Sequence, residues 1–177
     1  DAQEAMAEEE AETAEEDFSQ LSKEELHKRL KALAEDESPL RVNRKIQDIK
    51  DYFEGQIERE YQHQLQAFIE AGNEEMDFRP KADLLRDEFY QLYRDFKKRR
   101  DEQIRKLNED REQNLKAKRR ILDEMKYLTD HLEEEPNSIQ RFRKLQDEWR
   151  QIGQVPKQEI TNLRESYRFY VSRFYDS

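Results

Sequence analysis

The chain has 177 residues, of which 34% are hydrophobic and 43% charged, with three Gly, four Pro and no Cys. Globular domains average roughly 45–50% apolar and about 25% charged residues, so this composition excludes a thick globular core, and the lack of Cys excludes disulfides and thiolate chemistry. The formal charge of −10 is mostly local: nine of the ten excess negative charges lie in residues 1–17, which hold no base, so the body is close to neutral.

Residues 1–17 are low in complexity and lack apolar periodicity, which predicts an acidic disordered tail. Such a tail serves as a solubilising linker or as a lure for a basic partner. Order is expected to begin at Ser22, which with Glu25 forms a Ser-x-x-Glu capping box ahead of Leu26, Leu30 and Leu33 and predicts a helix over 22–37. Pro39 ends it, because the residue before a proline is pushed out of the helical region. Over 40–71 the residues Val42, Ile46, Ile49, Phe53, Ile57, Tyr61, Leu65 and Phe68 recur every three or four positions, predicting one long helix with a continuous buried stripe. Gly55 falls inside it and lowers local stability by ~1 kcal/mol relative to Ala without breaking it.

After Gly72-Asn73 and a loop containing Phe78 and Pro80, a third helix is expected over 81–134, with no stop signal before Glu135-Pro136. Leu85, Phe89, Leu92 and Phe96 give it one apolar patch, and Ile121, Leu122, Met125, Leu128 and Leu132 another. Its middle has only Ile104, Leu107 and Leu115 as large aliphatics, so it is expected to be exposed and held by charge pairs three and four residues apart, each worth ~0.2–0.5 kcal/mol. A fourth helix over 138–152 presents Ile139, Phe142, Leu145, Trp149 and Ile152 on one face. Gly153 is expected to supply a left-handed cap, and Pro156 to open a fifth helix over 156–175 carrying Ile160, Leu163, Tyr167, Tyr170, Val171 and Phe174. These two helices form a hairpin with an aromatic seam. Trp149 should lie between them near Tyr167 or Tyr170, and a buried ring there makes Trp149→Ala cost ~3–5 kcal/mol.

The hairpin has a counterpart earlier in the chain. Phe68 to Gly72 matches Trp149 to Gly153 as an aromatic, three intervening residues and Gly, Pro80-Lys81 matches Pro156-Lys157, and Leu85, Phe89, Leu92, Tyr93 and Phe96 match Leu163, Tyr167, Tyr170, Val171 and Phe174. Two units of one supersecondary element are expected: residues 18–96 as N-terminal helices with a degenerate first repeat, and residues 97–177 as a second repeat of long helix, short helix and helix. The predicted fold is all-α, an elongated, coiled-coil-like array of long helices and helical hairpins. Because the second copy stops shortly after Phe174 where the first continues as a charged helix, the chain is expected to be cut from a longer one.

The motif Trp149, Ile152, Gly153, Val155, Pro156, Leu163, Tyr167 and Phe174, with Phe142, Leu145 and Glu148, resembles the bacterial repeat family catalogued as domain of unknown function 349. The acidic start ahead of a charged helical array is similar to members from the Bacteroides group. The resemblance covers residues ~97–177 and, as a degenerate copy in which Phe68 stands for the Trp and no Val precedes Pro80, residues ~40–96. It implies a helical repeat and brings no activity with it.

Chemistry finds little foothold. Glu24/His27 and Glu60/His63 have the Glu-x-x-His spacing used in di-iron bundles, yet His63 and Glu24 fall opposite the apolar stripes of their helices, where a core metal has no access. No phosphate-binding glycine loop, Ser/His/Asp set or nucleophilic Cys is present, so no enzymatic activity, cofactor, metal or small-molecule substrate is expected. No run approaches the ~18 apolar residues of a membrane span, so no membrane partner is expected, and a Cys-free chain suits the cytoplasm. Residues 97–120 do hold eleven bases against five acids: Lys97, Lys98, Arg99, Arg100, Arg105, Lys106, Arg111, Lys116, Lys118, Arg119 and Arg120. Two readings stay open for them. They meet phosphates of RNA, DNA or a ribosome, with the acidic tail as a mask, or they are the solvated face of a scaffold helix whose partner is another protein or a second copy.

Overall fold

The computed structural model describes residues 15–176, so the start of the acidic segment, residues 1–14, lies outside the described residues. The protein is all-α, with five helices and no strand among the described residues: α1 (Lys23–Ala34), α2 (Pro39–Glu70), α3 (Leu84–Asp130), α4 (Ser138–Gln151) and α5 (Ile160–Tyr175). Two compact units divide inside α3, the first ending at Ile104 and the second beginning at Arg105. None of the helices is long and apolar enough to cross a membrane.

In the first unit α1 starts where the sequence places it. The Ser22 hydroxyl accepts from the Glu25 amide at 3.1 Å while the Glu25 carboxylate accepts from the Ser22 amide at 3.2 Å, so two orphan donors of the first turn are satisfied reciprocally. Leu26, Leu30 and Leu33 are buried against Val42, Ile46, Ile49 and Phe53 of α2 and Phe89 and Phe96 of α3. Each such side chain stabilises the fold by about 1.5–3 kcal/mol relative to exposure. Phe53 and Phe89 stack with centroids 3.8 Å apart. The three helices alternate in direction: Lys23 at the start of α1 reaches Asp83 at 2.9 Å, just before α3, and Arg99, further along α3, donates to Asp36 O at 2.8 Å beyond the end of α1. α2 returns between them, since its Gln56 donates to Leu21 O at 2.6 Å.

Order begins earlier than Ser22. Phe18 is buried in this core, and Glu16 lies between Arg29 at 2.7 Å and Lys45 at 3.3 Å, tying the end of the acidic segment to both α1 and α2. A charge run gives no periodicity by which such an anchor is visible in sequence.

The buried stripe of α2 stops at Phe53. Gly55 leaves the helix unbroken, but beyond it Ile57, Leu65 and Phe68 are half-buried and Tyr61 is 38% exposed. The physical reason is register. α3 starts only at Leu84, and Phe89 meets Phe53, so distal α2 extends past its neighbour and is covered by the loop alone, where Phe78 stands 5.4 Å from both Tyr61 and Phe68. Phe68, matched in sequence to Trp149, therefore has a loop residue as its ring partner, and Phe89, matched to Tyr167, has Phe53.

The second unit is again three helices in alternating directions: the remainder of α3, then α4, then α5. Arg120 reaches Glu148 at 3.0 Å, while Arg119 pairs with Glu159 and Arg173 with Asp130, each at 3.3 Å, so α4 runs against α3 and α5 runs with it. The core joins Ile121, Met125, Leu128, Phe142, Leu145 and Phe174. Ile139 departs from expectation. It lies in the first turn of α4 and is 54% exposed, although its spacing puts it on the apolar face. α3 ends at Asp130 rather than 134, followed by a tight turn in which Pro136 forbids helix at Glu135 and Asn137 is left-handed, with φ 56°.

Candidate functional site

The aromatic hairpin is assembled as its spacing predicts. Trp149 stacks on Tyr167 with centroids 4.5 Å apart, and Phe142 stacks on Phe174 at 3.9 Å. Val155 and Leu163 are buried with Leu115 and Leu122, and Pro156 is buried beside them. Ile152 is half-buried on the same core. Trp149 itself is only half-buried, and the Lys118 ammonium sits 4.5 Å from its ring centroid, a cation–π contact from α3. Burial pushes the Lys118 amine below its usual range, and repulsion from Arg164 adds to it.

Gly153 and Pro156 play different parts from those expected. Gly153 is not left-handed; the left-handed glycine is Gly72, with φ 96°, at the end of α2. What Gly153 provides is space: a Cβ there meets the Asn114 side-chain nitrogen at 3.2 Å. Asn114 needs that position, because it donates to Gln154 O at 2.7 Å while Arg111, itself buried, donates to the Gln154 side chain at 2.9 Å. The loop after α4 is thus held on α3 by two polar side chains. Pro156 precedes a short 3-10 turn, Lys157–Glu159, and α5 begins only at Ile160.

Most of the basic stretch is engaged within its own unit. In the first unit Lys97 lies 5.8 Å from the Tyr93 centroid, and Arg100 pairs with Asp101 at 3.3 Å. Arg99 caps the end of α1 through Ala34 O and Asp36 O, where carbonyls without helical partners and the negative end of the helix dipole favour a cation. Gln103 serves the opposite kind of end, the start of α2, where it accepts from Leu40 N at 2.9 Å and donates to Ser38 Oγ at 3.2 Å. In the second unit Arg111, Lys118, Arg119 and Arg120 hold Gln154, Trp149, Glu159 and Glu148 respectively, and Arg120 also pairs with Glu124.

Lys98, Arg105, Lys106 and Lys116 are exposed and make no ion pair among the described residues. All four of these cations have an exposed carboxylate one helical turn away: Lys98 has Glu102, Arg105 has Glu109, Lys106 has Asp110 and Lys116 has Glu112. The surface is one of mixed sign. Sequence reasoning missed Asn114, Arg111, Arg99 and Gln103 as structural residues, because a polar side chain that reaches across to a backbone group follows no helical period.

The Glu-x-x-His pairs do not converge. Glu60 is held by Lys23 at 2.8 Å, His27 lies 4.0 Å from Glu88, and His63 is exposed. Among the described residues no three of His, Cys, Asp and Glu are grouped to hold a metal ion.

No curated protein and no solved structure matches the chain. Residues 85–158, which include Trp149, the Gly153 loop and Pro156 but stop short of Leu163, Tyr167 and Phe174, match the model of the family described as Domain of Unknown Function (DUF349).

Proposed function

We propose that the chain is a non-enzymatic helical scaffold that binds other proteins in the bacterial cytoplasm. The observation that supports this is apolar surface left over from the fold: in the first unit Tyr61, Ile69, Met76 and Leu84 are 38%, 37%, 79% and 73% exposed, on distal α2, the loop after it and the first residue of α3. Large apolar side chains left this exposed are available as contact surface for a partner. The alternative, a nucleic-acid- or ribosome-associated module working through the basic stretch under an acidic mask, has less support. Several of its cations are spent on helix ends, rings and carboxylates, and each of the remaining four has a carboxylate one helical turn away.

Site-specific photocrosslinking in the native cell separates the two. A photoreactive residue at Met76 should yield covalent protein adducts, and one at Lys106 should yield no RNA or DNA adduct. Nucleic-acid adducts at Lys106 with none of protein at Met76 overturn the scaffold reading.

A further inference from the structure

Residues 15–22 form no helix, yet they are seated on two of them. The Phe18 ring is 1% exposed in the core of the first unit. The Glu16 carboxylate accepts from Arg29 of α1 at 2.7 and 2.8 Å and from Lys45 of α2 at 3.3 Å, and the Gln56 amide donates to Leu21 O at 2.6 Å. Lys45 and Gln56 stand about 16 Å apart along α2, so the segment lies lengthwise on the helix pair, which holds it by a ring, a carboxylate and a main-chain carbonyl. The helices have supports of their own. α1 starts on the capping box between Ser22 and Glu25, and α2 meets α3 through the stack of Phe53 on Phe89, neither of which involves residues 15–21.

We propose that this α1–α2 surface is a docking groove for a short non-helical segment of a partner protein, one with a carboxylate two residues before a Phe, and that residues 15–21 fill it in cis and keep it closed. The chemistry of the occupant is that of the segment seated there. Arg29 and Lys45, one cation from each helix, select a carboxylate, and the apolar pocket beside them takes the ring. Seven residues give up backbone freedom for one fully buried side chain and a carboxylate that stays 30% exposed, which is the balance of a segment that opens locally while the rest of its unit stays folded. Tethering gives the cis segment a high effective concentration, so a partner displaces it by adding contacts beyond the motif. The inference goes beyond the protein-binding reading above and stands on other residues, so its failure leaves the crosslinking result at Met76 untouched.

The test uses the full chain and a fluorescein-labelled peptide copying residues 15–22, followed by fluorescence anisotropy. Phe18→Ala empties the ring pocket, and Glu16→Lys repels the segment from Arg29 and Lys45; each variant is first checked for wild-type helical circular dichroism. The peptide should bind both variants at least tenfold more tightly than the wild type, whose groove is filled. Its affinity for the Phe18→Ala chain should drop at least fivefold when the peptide itself carries Phe18→Ala or Glu16→Gln, and when Arg29→Gln is added to the chain. Equal binding to wild type and variants puts the peptide elsewhere and overturns the proposal. Equal binding of the Phe18→Ala peptide reduces the effect to charge attraction and does the same, as does no binding to a variant that keeps its helicity. Loss of helicity in both variants makes residues 15–21 part of the core rather than its occupant and equally overturns it; where only one variant loses it, the other decides.

Discussion

Gly153→Ala has an effect whose sign depends on one neighbour. The Gly153 backbone is outside the left-handed region, so replacing Gly by Ala restricts the unfolded chain and by itself stabilises by about 0.4–1 kcal/mol. Against this, the new methyl lies 3.2 Å from the Asn114 side-chain nitrogen, which must move and weaken its 2.7 Å bond to Gln154 O. Losing such a bond costs about 0.5–1.5 kcal/mol. The net change in the native background therefore lies between about 0.5 kcal/mol of stabilisation and about 1 kcal/mol of destabilisation. In an Asn114→Ala background neither the obstruction nor the bond exists, and Gly153→Ala becomes stabilising by about 0.4–1 kcal/mol. Urea unfolding followed through Trp149, the only tryptophan and a member of the same unit, reads the cycle directly, with an unchanged m-value confirming that compactness is unaltered. An equal cost of Gly153→Ala in both backgrounds refutes the account of this glycine as space for Asn114.

Two further perturbations are expected to behave as follows. Phe142→Ala, which removes a fully buried ring, should cost about 3–5 kcal/mol, whereas Trp149→Ala should fall below that range because its ring is only half-buried; urea unfolding monitored by circular dichroism checks the order, and a larger loss at Trp149 contradicts it. Glu16 is held below the usual carboxylate range, first by its bond to Arg29, with burial opposing and Lys45 assisting, so the stability it contributes is present above its unfolded pKa of about 4.3 and is lost as pH falls through the lower folded value. Glu16→Gln should therefore be less stable than the parent near neutrality and converge with it in acid, and a gap that stays constant down to the acid limb counts against this pairing.

The parts of the fold carried by short-range chemistry were legible in the sequence. The capping box at Ser22, the tolerance of Gly55 within α2, and the approach of Trp149 to Tyr167 all follow from spacing within a few residues or from two amphipathic stripes meeting in a hairpin. What spacing does not encode is how far along a neighbour a stripe is covered. Phe53 and Phe68 are equivalent in pattern, yet one stacks in the core and the other leans on a loop, because the start of α3 decides the register. The same holds at Ile139, which has the right angle on its helix but lies in the first turn. The basic stretch was legible as charge but not as use: Arg99 and Arg111 look like solvated cations in sequence, and their roles depend on a backbone carbonyl 63 residues away or a side chain 43 residues away.

That α3 serves both units has a consequence for how the chain folds. Starting a helix is the costly step, with a nucleation constant on the order of 10⁻³, equivalent to about 4 kcal/mol, whereas adding residues to an existing helix is close to neutral. Whichever unit forms first leaves a finished helical turn at its border, from which α3 grows into the other half without a second nucleus. The two cores share no residue of their apolar clusters, yet continuity of one hydrogen-bonded backbone links their folding as neighbours in a one-dimensional zipper are linked. A proline placed in α3 near Ile104, touching neither core, breaks that linkage and should split one unfolding transition into two.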